Sequence, residues 1–163
     1  MRLVILGTGG YGRTIRDLAI QSEKYDEIIH LDDKDSKASG LCAEYNKYID
    51  KNTEFYPAFG NNELRMYWLR EFFDNNIPVC SFIHKTAYVA PSAKIGKGTI
   101  VLPHASVGTD AVIGDGCIIN MNSVVDHDCL LENGIHIGSG AVVRSGTIIK
   151  ANTKIAEGST AGN

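Results

Sequence analysis

Asp126-His127-Asp128 is the run of residues in this chain best suited to chemistry. A histidine has an ordinary pKa of about 6.5, so near neutral pH it can take a proton from an attacking amine or hydroxyl. A neighbouring carboxylate can hold one ring nitrogen and leave the other to act as base. Cys129 follows at once, but it falls in an inward-facing column, which argues against a thiol acyl-enzyme route. Of the other histidines, His136 is polar in a column where Leu130 and Val142 are apolar, so it is a candidate for substrate or cofactor contact. His104 follows Pro103 and reads as a turn residue, and structural roles are expected of His30 and His84. No set of His, Cys, Asp and Glu has metal-site spacing, and no metal is expected.

A second constellation is Gly7-x-Gly9-x-x-Gly12, with Asp32 twenty residues after the last glycine. Glycines at this spacing let the backbone approach a phosphate, whose charge sits at a helix N-terminus, and an acid at this distance can hold a ribose. Three readings are open: contact with a nucleotide-sugar, a plain tight turn, or NAD. About eighty residues precede the next kind of sequence, room for one βαβ half and about one nucleotide, which argues against a dinucleotide.

These residues need elements to hold them. From Ile83 onward every sixth residue is aliphatic: Ile83, Val89, Ile95, Val101, Val107, Ile113, Ile119, Val125, Leu131, Ile137, Val143, Ile149 and Ile155. Four residues after each stands a small one, as at Ala87, Ala105, Cys117 and Ala141, with Ile135 the exception. Period six matches neither a helix nor an ordinary strand. It predicts a solenoid of short flat sides, three to a coil, with about four and a half coils stacked like parallel strands. The glycines after the aliphatic at Gly96, Gly108, Gly114 and Gly138 are expected to support tight turns. His127 takes the third place of its hexad, where side chains leave the prism.

The first half alternates β and α signals: a strand at 2–6, a helix at 14–21, strands at 27–31 and 54–59, a helix at 63–73, and a strand at 79–83. Leu64, Trp68, Leu69 and Phe72 are expected on one apolar face of the second helix. The pattern predicts a parallel sheet with crossover helices. The fold class is therefore α/β plus β-solenoid, with a small Rossmann-like domain at 1–81 and a β-helix at 82–163.

Net charge is −3 with no Lys/Arg cluster, which gives a nucleic-acid partner little support. No apolar run approaches the ~20 residues of a membrane span. Leu3-Val4-Ile5-Leu6 meets glycine too soon for a secretory core, so a cytoplasmic protein with four reduced cysteines is expected.

The quoted residues are carried together by one known family. The chain resembles bacterial sugar acetyltransferases of the NeuD/PglD type, which include sialic acid O-acetyltransferases and UDP-4-amino-sugar N-acetyltransferases. The resemblance rests on the Gly-rich loop, Leu31-Asp32-Asp33, Gly60-Asn61-Asn62-Glu63, Phe82-Ile83-His84-Lys85-Thr86-Ala87 and, most specifically, Asn120-Met121-Asn122-Ser123-Val124-Val125-Asp126-His127-Asp128. It implies a left-handed β-helix, a hand that periodicity does not give. It further implies His127 as general base oriented by Asp128. Asn120 and His136 would lie in the active site, with His136 also facing the cofactor. Gly9, Gly10, Tyr11, Asp32, Asp33, Gly60 and Asn61 would bind the nucleotide-sugar. Amides near Ser145 and Gly146 would hold the thioester carbonyl of acetyl-CoA. The family is trimeric, with active sites between neighbouring prisms. Tyr11 stands where the family has His, so it can donate a hydrogen bond but cannot act as a cation. The repeat stops at Asn163, where the family continues for further coils. The alternative expectation is thus a weakly active or inactive trimeric β-helix that serves as a binding scaffold.

Overall fold

The computed structural model describes residues 1–162. The chain divides into two compact units, Met1–Cys80 and Ser81–Asn163.

The first unit is built on a three-stranded parallel sheet. β1 (Arg2–Leu6) lies in the middle, between β2 (Glu27–Leu31) and β3 (Thr53–Pro57). Leu3, Val4, Ile5 and Leu6 are fully buried, as a strand covered on both faces must be. Helix α1 (Gly10–Gln21) starts four residues before the expected boundary, directly from the glycine loop. Gly12 has to be glycine, because a Cβ there would run into the carbonyl of Gly7. Helix α2 (Asn62–Asp74) buries Arg65, Met66, Leu69 and Phe72. That corrects the expected face: Leu64 is exposed and Trp68 only half-buried. A 3₁₀ segment at Cys42–Tyr48, not anticipated from sequence, packs Tyr45 edge-on against Phe55, Trp68 and Phe72.

The second unit is a three-sided stack of two-residue strands. The first side carries Phe82–Ile83, Ile100–Val101, Ile118–Ile119, His136–Ile137 and Lys154–Ile155. The second carries Tyr88–Val89, Ser106–Val107, Val124–Val125, Val142–Val143 and Thr160–Ala161. The third carries Lys94–Ile95, Val112–Ile113, Leu130–Leu131 and Ile148–Ile149. Partners in register are eighteen residues apart, as in Ile119 with Val101 and Ile137. The period-six aliphatics and the small residues four places on form one core, including Val107, Ile119, Val125, Leu131 and Ile137 with Ala105, Ala111, Cys117 and Cys129.

The corners follow a rule that the glycine count alone concealed. Left-handed φ occurs three residues after the aliphatic, at His104, Asp110, Asn122, Asp128 and Asn152 and at Gly98, Gly116, Gly134, Gly140, Gly146 and Gly158. Apart from His104, Gly, Asn and Asp occupy that place because they tolerate it. Gly96, Gly108, Gly114 and Gly138, read from sequence as turn supports, serve another need. A Cβ at any of them would press into the turn of the next coil. They are glycine for close approach, not for positive φ.

Candidate active site

Val124–Val125 ends the second side, and the chain turns the corner to the third through Asp126, His127 and Asp128. Asp128 takes φ 57°, which swings its carboxylate back toward its neighbour. His127 Nδ1–H donates to Asp128 Oδ2 at 2.7 Å. The proton on Nδ1 leaves Nε2 with its lone pair, so the exposed edge of the ring is the basic one. The hydrogen bond to Asp128, with the charges of Asp126 and Asp128, raises the imidazole pKa above its ordinary value. Asp126 Oδ1 accepts the His127 N–H at 2.8 Å and fixes the start of the turn. Both members of the pair are exposed, with 57% and 64% of their side-chain surface open. The arrangement can take a proton from a nucleophile that reaches it from solvent or from a bound substrate.

The corner is clamped by the coils on either side. Asp128 N–H donates to Thr109 O at 2.9 Å, and Gly146 N–H donates to His127 O at 3.0 Å. The Gly146 amide named from sequence as a thioester donor is therefore engaged within the stack. Among the described residues no hydrogen bond of the stack uses Ser145 N–H, and the residue before it, Arg144, has no side-chain acceptor to offer. At some other corners that place is capped: Met121 N–H by Asn120 Oδ1, Ala151 N–H by Glu132 Oε2.

Asn120 and His136 come together on the first side. Asn120 Nδ2 lies 3.3 Å from His136 Nε2. An amide nitrogen can only donate, so Nε2 accepts. Asn120 Oδ1 is held by Met121 N–H at 2.8 Å. The two pairs are not brought together within one chain. The whole second side separates Asn120 from His127, a span of about 15–20 Å at ~3.3 Å per strand residue. His104 has φ 59° in its turn, and His30 Nδ1 donates to Gly7 O at 3.0 Å, bracing the glycine loop.

In the first unit a cleft of about 520 Å³ opens over the ends of β1 and β2. Its lining includes Gly9, Gly10, Tyr11, Asp32, Asp33 and Gly60. Asp32 is largely committed: Oδ2 accepts from Thr8 N–H at 2.8 Å and Thr8 Oγ1 at 2.9 Å, and Oδ1 accepts from Lys34 N–H at 2.8 Å. Burial would raise its pKa, but these bonds outweigh burial and hold it below the usual carboxylate value. Asp33 gives one oxygen to Cys42 N–H and is otherwise exposed in the cleft. Tyr11 presents its ring, since its hydroxyl lies 2.8 Å from that of Tyr56. Asn61 stands outside the lining, and its Oδ1 caps α2 through Leu64 N–H at 2.9 Å. Sequence reasoning missed Phe59, Leu64 and Trp68 as cleft walls. The position of Phe59 beside Gly60 could have found it. Leu64 and Trp68 looked like core because the buried Arg65 was not anticipated. That guanidinium is fully enclosed and donates to Phe59 O at 2.9 Å and Asn62 Oδ1 at 2.8 Å, holding the Phe59–Asn62 turn.

Among the described residues, no three His, Cys, Asp or Glu converge as a metal site would, and no helix is long and apolar enough to cross a membrane.

Comparison with known proteins follows the two units. Residues 2–72 match the PglD N-terminal domain family. Residues 92–127 and 110–145 match the bacterial transferase hexapeptide family of six repeats. The chain is similar to the acetyltransferase domain of PglB from Neisseria gonorrhoeae FA1090, at 28% identity and a TM-score of 0.88, over 99% of this chain and 91% of that one. It is similar to the same domain in complex with acetyl coenzyme A at 30% identity and a TM-score of 0.83, over 98% and 86% of the two chains. PerB from Caulobacter crescentus, in complex with CoA and GDP-perosamine, matches at 25% identity and a TM-score of 0.79, over 99% and 89%.

Proposed function

Since this chain belongs to the hexapeptide acetyltransferases that carry a PglD N-terminal domain and a left-handed β-helix, we propose that His127 is the base that drives acetyl transfer from acetyl-CoA to a nucleotide-linked sugar. The chain is an acetyl-CoA-dependent acetyltransferase of nucleotide sugars. The observation that carries the proposed mechanism is the 2.7 Å His127–Asp128 bond, which leaves Nε2 as the basic nitrogen at an open corner. Nε2 takes the proton as the sugar amine or hydroxyl attacks the thioester carbonyl. The C–S bond then breaks, and the CoA thiolate leaves and is protonated. Ser145 N–H is suited to the developing oxyanion, because no hydrogen bond among the described residues uses it.

The division of labour follows the two units. Residues 1–81 hold the nucleotide part of the acceptor, with Asp33 offering acceptor oxygens and the loop around Gly9 and Gly10 receiving phosphate. Residues 82–163 hold the acyl chemistry. Asn120 and His136 join the same site from another copy of the chain, because one copy keeps them a full side away from His127. Exposed apolar residues stacked on two sides of the prism support such packing: Val112, Leu130 and Ile148 on the third, Tyr88 and Val124 on the second. This is the arrangement a trimer of prisms supplies. The reaction belongs in the cytoplasm, where acetyl-CoA and nucleotide sugars are made.

Thiol release from acetyl-CoA with a panel of UDP-, dTDP- and GDP-amino-sugars and free sialic acid tests the reading. One acceptor should support release, and His127→Ala should lower turnover at least ~100-fold. Near-wild-type turnover in His127→Ala removes it from the mechanism.

A further inference from the structure

His127 is aimed by its own hydrogen bond to Asp128, but the peptide that carries it is set by a residue nineteen positions earlier in the chain. Gly108 lies directly under the corner in the preceding coil. A Cβ on Gly108 would stand 2.7 Å from His127 N, 2.8 Å from the Asp126 carbonyl carbon and 3.1 Å from His127 Cα. All three are backbone atoms, so no side-chain rotation relieves the contact. The next residue, Thr109, accepts the Asp128 N–H at 2.9 Å, and Gly146 N–H closes on His127 O at 3.0 Å from the other side. The corner is thus held between two coils at a spacing that only a missing side chain allows.

We infer that Gly108 is a positioning residue for acetyl transfer: its lack of a Cβ seats the Asp126–His127 peptide close against the coil beneath and so sets where the imidazole points. The inference rests on the reading of His127 as base. Adding one methyl group lifts the Asp126–His127 peptide by a few tenths of an ångström, while Thr109 O and Gly146 N–H still hold the following His127–Asp128 peptide, so the turn tilts rather than shifts as a block. Asp126 and Asp128 are the charges acting on the ring. Asp110 and Arg144 are the charged residues of the turns below and above it.

The fold provides its own control. Gly114 occupies the same place in the next hexad, and a Cβ there would meet Asn133 Oδ1 at 2.5 Å as well as the Glu132 carbonyl carbon at 2.8 Å and Asn133 N at 2.9 Å. Its corner carries no histidine. Gly108→Ala and Gly114→Ala should therefore show similar drops in melting temperature. Only Gly108→Ala should lose kcat, by ~10-fold or more, because small displacements of a reacting group are costly. Its KM values should stay within about twofold of wild type, and the acid limb of its kcat profile should move toward the ordinary histidine value. Equal kcat losses in both variants, or none in either, would mean that Gly108 serves only packing and would overturn the proposal. Retained turnover in His127→Ala is a different failure, that of the base itself. An NMR titration of His127 in Gly108→Ala then still reads whether the ring has moved away from Asp128. Should Gly108→Ala fail to fold, amide hydrogen exchange in the wild-type protein supplies a second test. Asp128 N–H should be protected and Ser145 N–H should exchange rapidly, and a fast-exchanging Asp128 amide would overturn the clamp.

Discussion

His127 and His136 are both outward-facing histidines of the prism with the lone pair on Nε2, yet their partners leave that nitrogen open in one ring and engage it in the other. Asp128 is an acceptor and fixes the His127 proton on Nδ1, whereas Asn120 presents a donor to His136 Nε2. The first ring is a base by construction. The second is oriented to accept a hydrogen bond at the nitrogen that the first leaves open. The Asp126-His127-Asp128 triplet was legible in sequence because its residue types are unusual on a repeat of small and apolar positions. The tautomer was not legible, since it depends on the αL turn at Asp128. Asp128→Asn keeps an acceptor but removes the charge. Because the pair raises the His127 pKa, the acid limb of kcat against pH should lie above the ordinary histidine value and fall in Asp128→Asn, with the plateau ~10-fold lower. A limb that does not move would separate Asp128 from the base. The same pair stabilises the folded state below the unfolded histidine value, and this contribution fades as pH rises through the higher folded value. In the first unit the Gly loop was legible as a close turn from β1 into α1, but the burden on Asp32 was not. Its oxygens brace Thr8 and Lys34, which leaves Asp33 as the more available carboxylate.

At the scale of elements, the solenoid was readable because thirteen aliphatics in one register cannot be satisfied by a helix or a simple strand. Helix α2 was readable in extent and misread in orientation, whereas α1 begins four residues before the expected boundary. Helix α2 offers two apolar stripes, one with Leu64 and Trp68 and one with Met66, Leu69 and Phe72. Periodicity cannot choose between them. The buried Arg65 decides, because its guanidinium finds Phe59 O and Asn62 Oδ1 under the turn and draws that face inward. The other stripe is then left to line the cleft. Asn61 caps this element through its Oδ1. Asn61→Ala removes the acceptor for Leu64 N–H and should cost about 1 kcal/mol in the stability of the first unit, read by chemical denaturation. It should also raise KM for the nucleotide sugar and leave KM for acetyl-CoA unchanged, since the Phe59–Asn62 turn forms a cleft wall. A change confined to acetyl-CoA would contradict the assignment of that cleft.

On the proposed reading, the whole molecule divides one reaction between positions that a single chain holds apart. Copies carrying His127→Ala and copies carrying Asn120→Ala should each be nearly inactive alone. Refolded together, they should regain a fraction of wild-type turnover, through mixed assemblies with one intact pairing of the two halves. No recovery on mixing, with mixed assemblies verified by native mass spectrometry, would place the full site within one chain. The eighteen-residue pairing also gives the second unit an arithmetic of its own. Its alternation of inward and outward residues repeats every six positions, while its sides repeat every eighteen. Inserting six residues before Ile135 would leave every core side chain facing inward, yet carry His136 to the neighbouring side, away from Asn120. Inserting eighteen would return it to its side but one storey further along. The prism therefore has a frame, much as a coding sequence does: length changes in multiples of six are silent to the fold, but catalysis reads them as a shift.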